Sequence, residues 1–151
     1  MTAGAFALML TLGDATHAAT FYESSRSQEA GRTPNRALVV DGVIGPLTEI
    51  IGTVGPAADL YEIQLTGEAF SASTRWKTAL EDTQLFLFKK EFDASGNPIA
   101  IGFYANDNYY DPNDPQRRSR QSDIRLPGAT PGLTPGLYYL GITAYNVDPI
   151  G

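Results

Sequence analysis

From Ala37 onward the apolar residues come in short runs, and the runs end at Gly, Pro, Asp or Asn. Two runs alternate strictly. In residues 60–66, Tyr61, Ile63 and Leu65 fall on one side, with Glu62 and Gln64 on the other. In residues 69–76, Phe70, Ala72, Thr74 and Trp76 oppose Ser71, Ser73 and Arg75. A period of two places successive side chains on opposite faces of a strand, so both segments are expected to be half-buried strands. Residues 39–44 and 47–54 are further candidate strands, separated by Gly45-Pro46 and closed by Gly55-Pro56. Residues 83–90 (TQLFLFKK) are apolar on both sides in the middle, which suits a central strand covered on two faces. Asp93-Ala94-Ser95-Gly96-Asn97 has turn chemistry, with Gly96 for a positive φ, and residues 98–104 return from it, so 83–104 reads as a hairpin. Residues 105–121 read as a long polar loop and 123–126 as a short strand, and the Gly/Pro run 128–136 reads as a turn. Residues 137–145 form the last strong strand, with Tyr138, Leu140 and Ile142 facing one way and Leu137, Tyr139 and Thr143 the other. No segment holds a 3.6 period over three turns, and residues 78–81 offer one helical turn at most. About seven short strands with turn signals between them predict an all-β fold, an antiparallel β-sandwich.

The first residues follow a different pattern. Residues 4–12 (GAFALMLTL) are one apolar run, followed by small residues at Ala15 and Ala18. This is the layout of a secretory leader, so residues 1–18 are expected to be a signal peptide and the chain to be secreted, extracellular or periplasmic. Met1-Thr2-Ala3 carries no Lys or Arg, which fits a start inside a longer leader. The competing reading of the run is a buried helix or strand. A transmembrane helix is not expected, because the run is well short of the roughly 20 residues a bilayer needs. Residues 19–36 then read as a polar, exposed lead-in, and residues 37–151 as the β-sandwich domain.

Composition narrows the chemistry. The chain has 151 residues, enough for one domain, and no cysteine, which excludes disulfides, thiol catalysis and Cys-ligated metals. Formal net charge is −6 with no basic stripe, so nucleic acid is not an expected partner. Loss of the leader removes His17, the single histidine. A chain without His or Cys builds neither a Ser-His-Asp triad nor a Cys-His pair. A non-catalytic module is therefore expected. The enzymatic alternative is a carboxylate-dependent hydrolase drawing on Glu62, Glu68, Glu81 or Glu91, which needs a carboxylate pair about 5 Å or 6.5–9.5 Å apart. Glu62 lies on an outward strand face and is expected to be exposed.

Asn106, Asp107, Asn108, Asp111, Asn113 and Asp114 crowd the polar loop. Calcium takes 6–8 oxygen ligands from such carboxylates, amides and carbonyls, so Asn106, Asp107, Asp111 and Asp114 are the candidate metal ligands and calcium the candidate cofactor. The spacing is not that of an EF-hand. The competing reading is a solvated turn, since Asn, Asp and Pro are common turn residues. Asp59, Asp82 and Asp93, at strand starts and turns, could add ligands or cap turns. Tyr109 and Tyr110, with Tyr104, flank the acidic residues and are candidates for ligand contact, by stacking on a glycan or packing on a protein. Arg117, Arg118, Arg120 and Arg125 follow and are expected to neutralise residues 107–114 locally.

Four segments, in order, resemble the bacterial pre-peptidase C-terminal domain family. They are Ile50-Ile51-Gly52-Thr53-Val54-Gly55 with Ala58 to Leu65, Asp82 to Phe88, Asp93 to Ala100 with Ala105-Asn106-Asp107-Asn108, and Leu133 to Ile142. The likeness spans roughly residues 19–148. The variant is similar to secreted, often cyanobacterial, proteins that carry a PEP-type C-terminal sorting signal. The resemblance implies a jelly-roll sandwich lacking its last strand, with an open sheet edge beside 137–145 available for strand exchange or self-association. It also implies a role in cell-surface or extracellular-matrix association, with an envelope or matrix glycan or protein as partner. A carbohydrate-binding module is the alternative. Lys89 to Phe92 and Ile101 to Tyr104 are extra relative to the family pattern and are expected to lengthen the hairpin.

Overall fold

The computed structural model describes residues 4–12, 19–42, 47–54, 58–74, 82–110, 118–128, 130–145 and 147. The alternating runs form twelve strands among these residues. They are β1 (Gly4–Leu12), β2 (Ala19–Tyr22), β3 (Leu38–Val39), β4 (Leu47–Val54), β5 (Asp59–Leu65) and β6 (Phe70–Ser73). The rest are β7 (Thr83–Phe92), β8 (Pro98–Asn106), β9 (Tyr109–Tyr110), β10 (Arg118–Ser119), β11 (Asp123–Leu126) and β12 (Gly136–Ala144). Short 3-10 turns occupy Glu23–Ser25 and Pro34–Arg36. The one-turn helix considered at 78–81 and Trp76 lie outside the described residues.

Two five-stranded sheets pack face to face, in the orders β11-β6-β1-β4-β2 and β3-β5-β12-β7-β8, so the fold is an all-β sandwich. Pairing is antiparallel through both interiors and parallel at one edge of each sheet, where β2 joins β4 and β3 joins β5. Both parallel partners come from the segment between Ala19 and Val39. That segment is therefore stitched to both sheets, although most of its polar side chains are exposed as expected.

The core lies between the sheets. One sheet contributes Leu8, Leu10, Phe21, Ile50, Phe70 and Ile124, among others, and the other Tyr61, Ile63, Leu85, Leu87, Tyr138, Leu140 and Ile142. Each such fully buried aliphatic side chain contributes about 1.5–3 kcal/mol of transfer free energy. The facing assigned from alternation in β5, β6 and β12 is the observed one. β12 is also buried on its outward face, at Tyr139 and Thr143. Gly141 makes this close packing feasible, because an added Cβ there would lie 3.1 Å from Leu60 Cδ2 and 3.5 Å from Phe86 Cβ.

The first apolar run is placed as a strand, and one expectation is corrected. Gly4–Leu12, read as the apolar stretch of a leader, is a strand in the middle of its sheet, with Leu8 and Leu10 fully buried. A leader and a buried strand require the same short apolar run, so the pattern alone does not separate them. The open edge expected beside 137–145 is corrected. β12 pairs with β5 from Gly136↔Leu65 to Ile142↔Asp59 and with β7 from Tyr138↔Lys89 to Ala144↔Thr83. A run apolar on both faces is stable only when flanked and covered, so it takes the centre and leaves β3 and β8 at the edges. β8 pairs with β7 out to Phe92↔Pro98, so the hairpin is long, and a register shift between Leu87 and Phe88 distorts that edge. At its tip Asp93 accepts the backbone N–H groups of Ser95 and Asn97, both at 2.8 Å, while Gly96 takes φ 81°.

Candidate functional site

Three of the residues singled out for chemistry, Asp82, Asn106 and Asp107, lie at one end of the sandwich. β7 and β12 run antiparallel with Ala144 opposite Thr83, and β8 ends at Asn106 opposite Leu85. The start of β7, the end of β8 and the approach to β11 therefore meet. Asp82 precedes β7, and Asp107 follows β8.

The floor of this end is a buried hydroxyl network. Thr74, Thr83 and Ser122 are each fully buried. The two threonine Oγ1 atoms share a hydrogen bond of 2.6 Å. The Ser122 N–H donates to both of them, at 3.0 and 3.1 Å, and Ser122 Oγ donates to the Thr83 carbonyl. The Thr74 and Thr83 N–H groups donate to the Ser122 and Arg120 carbonyls, each at 3.0 Å. β6, β7 and the segment entering β11 are thereby tied across the two sheets. Thr74 was legible as inward-facing, but nothing in the sequence linked it to Thr83 and Ser122, which are 9 and 48 residues away.

Above this floor Asn106 Oδ1 accepts the Asp123 N–H at 3.1 Å, which fixes the end of β8 against β11. Asp82 Oδ1 and Asp107 Oδ1 are both shielded from solvent and lack a hydrogen-bond partner among the described residues. Burial pushes the Asp82 carboxyl above its ordinary range, the Asp107 charge adds to this, and Arg120 partly offsets it. Two partly buried carboxylates facing each other's field attract a proton or a hard cation. Sequence reasoning placed Asp107 in the candidate set and Asp82 as an outlying addition, and the fold brings them into one field.

The remaining predicted residues distribute as follows. Tyr109 and Tyr110 form β9, paired with β10 through Ser119↔Tyr109 and Arg118↔Tyr110, so the loop carries a small ribbon beside Asp107. Asp111, Asn113, Asp114 and Arg117 lie outside the described residues. No group of three or more His, Cys, Asp or Glu side chains is placed to hold a metal among the described residues. Asp93 caps its turn far from this end, and the bonds it accepts from Asn97 hold its carboxyl below the ordinary range. Arg125 has a partner within its own strand. It pairs with Asp123 at 2.8 Å, because alternation sends both side chains to the same outer face.

Glu62 is corrected from exposed to largely covered, its side chain being 12% exposed. Its carboxylate is 2.7 Å from Lys90 Nζ, which also lies 5.5 Å from the Phe92 ring centre and 5.8 Å from that of Tyr139. Burial alone would lower the Lys90 pKa, but the bond and charge of Glu62 outweigh it and the net shift is upward. Glu23 was missed altogether. It is buried and accepts the Ala30 and Thr53 N–H groups, both at 2.9 Å, clamping the lead-in to β4. Tyr61 lies in the same field, and burial, then the Glu23 and Asp59 charges, push its hydroxyl far up.

A shallow groove of about 570 Å³ crosses the outer face of β11, β6 and β1. Ser71 and Ser73 form its floor, with Met9 on one side and the Asp123–Arg125 pair on the other. No described helix is long and apolar enough to cross a membrane. No family model, curated protein or solved structure matches this chain.

Proposed function

We propose that this chain is a secreted, non-catalytic β-sandwich module for cell-surface or extracellular-matrix association, with its polar end stabilised by calcium. The observation that carries this reading is the Asp82–Asp107 pair. Each carboxylate has a shielded oxygen without a partner among the described residues, beside the Tyr109–Tyr110 ribbon. A bound cation would offset the burial and the Asp107 charge that together raise the Asp82 pKa, and would order the ribbon for a partner. Asn106 holds this end rigid through Asp123, and Asp111 and Asp114 are the further ligands proposed. Secretion is supported by the apolar run and small residues of 1–18 and by the resemblance of 19–148 to secreted modules. Export with cleavage after Ala18 would take β1 out of its sheet. N-terminal sequencing of the exported protein separates a cleaved leader from a retained strand.

The test is a thermal melt of the full chain in excess calcium and in chelator. A ligand at 100 Kd adds about 2.7 kcal/mol, which raises Tm by about 5–10 °C for a domain of this size. The shift is expected to vanish in Asp107→Ala and in Asp82→Ala. Identical melts in calcium and chelator would remove the cation from the reading.

The outer groove favours a second reading, a carbohydrate-binding module. Paired planar groups such as Asp123–Arg125 above serine hydroxyls suit sugar hydroxyls. On a glycan array, Arg125→Ala would abolish binding if the groove is used, whereas Tyr109→Ala and Tyr110→Ala would do so if the ribbon is used.

A further inference from the structure

We propose that the outer edge of β8 is a self-association site, and that the partner it fits is the same edge of a second copy of this chain. The proposal depends on neither the cation nor the glycan reading, and it uses only β7 and β8. β8 is the last strand in the order β3-β5-β12-β7-β8, so no other described strand pairs with its outer side. Its nine residues, PIAIGFYAN, carry no charge. Sheet edges are usually blunted by charge or by distortion. Here the distortion falls between Leu87 and Phe88, and residues 98–102 pair regularly with Phe92 back to Phe88. β8 is bound to β11 at Asn106, the end away from this regular stretch. Ile101 is 48% exposed, and nothing lies within 4 Å of a Cβ added at Gly102.

The hairpin tip fixes which backbone groups face outward. The Asp93 N–H donates to the Asn97 carbonyl at 2.9 Å, so that pair is hydrogen-bonded. Antiparallel pairs alternate between bonded and non-bonded. Glu91↔Ile99 and Lys89↔Ile101 are then bonded pairs, and Pro98, Ala100 and Gly102 turn their backbone groups to the outer side. Proline is tolerated at such a position because it has no N–H to leave unpaired. Two-fold registers that keep most of this stretch paired are centred on Ile99, Ala100 or Ile101, and charge on β7 selects among them. Lys89 Nζ lies 3.1 Å from Glu91 Oε1, so the two share a face, and by register they share it with Ile101 and Ile99. Centring on Ile99 puts Glu91 in line with Glu91 of the second copy, and centring on Ile101 does the same for Lys89. Centring on Ala100 gives two equivalent rows, Lys89 and Ile101 from one copy followed by Ile99 and Glu91 from the other. Opposite charges then flank two isoleucines, with their backbones three strand spacings, about 14 Å, apart. In this register each Ala100 N–H donates to the other Ala100 carbonyl, and each Gly102 N–H to the Pro98 carbonyl opposite. On the reverse face the two Lys90 side chains fall in one row, but each is already neutralised by its own Glu62, at 2.7 Å. The edge is thus complementary to itself in one register.

Sedimentation equilibrium of the full chain, from about 1 μM to about 1 mM, tests this. The mass is expected to rise toward that of a dimer. Ala100→Pro removes the central donor while sparing the ladder to β7, because the Ala100 N–H faces outward, and it is expected to stay monomeric. Lys89→Glu and Glu91→Lys change side chains that are 41% and 48% exposed, so both variants are expected to fold. Each alone places like charges at the ends of both rows and is expected to associate severalfold more weakly than the unmodified chain. Mixed together they restore an opposite pair in both rows, and the mixture is expected to associate severalfold more tightly than either component. This arm decides by itself if Ala100→Pro does not fold. A chain that is monomeric over the whole range, a folded Ala100→Pro that associates as tightly as the unmodified chain, or a mixture no tighter than its components overturns the proposal.

Discussion

The two sheets each have an apolar strand at the centre, but they acquire it differently. β12 lies between β5, which alternation picks out, and β7, the first strand of the hairpin. It is locked at its start, where the Tyr138 hydroxyl donates to the Thr134 carbonyl at 3.0 Å and accepts the Thr134 N–H at 3.1 Å. The Phe103 ring meets Tyr138 edge-on, at 6.1 Å between centres. β1 has equal burial at Leu8 and Leu10, but its two ladders barely overlap, since it pairs with β4 over residues 4–9 and with β6 over residues 9–12. Burial alone therefore does not fix how firmly a central strand is held. The overlap of its two ladders matters as well, and β12 is paired on both sides from Tyr138 to Ile142.

The sharpest way to break this comparison is to cut equivalent cavities. Leu140→Ala and Leu10→Ala should each cost about 2–5 kcal/mol by denaturant unfolding. Their hydrogen-exchange patterns should differ. Leu140→Ala is expected to lower protection across the whole core, whereas Leu10→Ala should lower it first in β1, β4 and β6. Matching patterns would erase the distinction drawn here. Next in size is the polar end. Thr83→Val removes one of the two acceptors of the Ser122 N–H and the partner of Thr74, and leaving buried groups unmade should cost about 1–3 kcal/mol. Replacing Thr83 by Ser should recover most of it.

Two smaller effects follow from charge. The folded chain holds the Asp82 proton more tightly than the unfolded chain does. That group thus favours folding below the ordinary carboxylate range, and the benefit is lost as pH rises through its raised pKa. Asp107→Asn should bring the Asp82 titration, followed by carboxyl NMR, down toward the ordinary value and flatten this slope. Lys90 has the same sign at the other end of the scale. Its contribution is present below 10.5, the ordinary value, and fades as pH climbs through its raised pKa. Lys90→Met should therefore weaken the dependence of Tm on pH in alkaline solution, and it should also lower stability at neutrality, because it leaves the largely covered Glu62 carboxylate without its partner.

Much of the strand pattern was legible because period-two alternation reports burial directly. β4 and β11 have the bounds read from the runs, and the inward faces of β5 and β12 match. Partner choice was not legible. Alternation says that β12 needs covering and says nothing of which strands cover it, so the edge was misplaced. Glu23 and Glu62 were misjudged for a related reason. A charge on a polar stretch or an outward face looks solvated until distant donors, the Thr53 N–H and Lys90, are brought to it by the fold. In the candidate site, Asp107 was readable from the density of acidic residues. Its pairing with Asp82 arises where the ends of two strands meet, a relation no local window contains.

The place of β1 also sets an order of events during synthesis. Its first partner, β4, begins about 35 residues after β1 ends, and its second, β6, is complete only at Ser73. At about 5–20 residues per second, a nascent chain takes roughly 3–12 s to go from Leu12 to Ser73. Until β4 is made the apolar run has neither of its partners, and until β6 follows it has only one of the two. Leu8 and Leu10 are thus exposed in the growing chain and buried in the finished one, and whichever factor meets them first on the ribosome competes with the sheet for them.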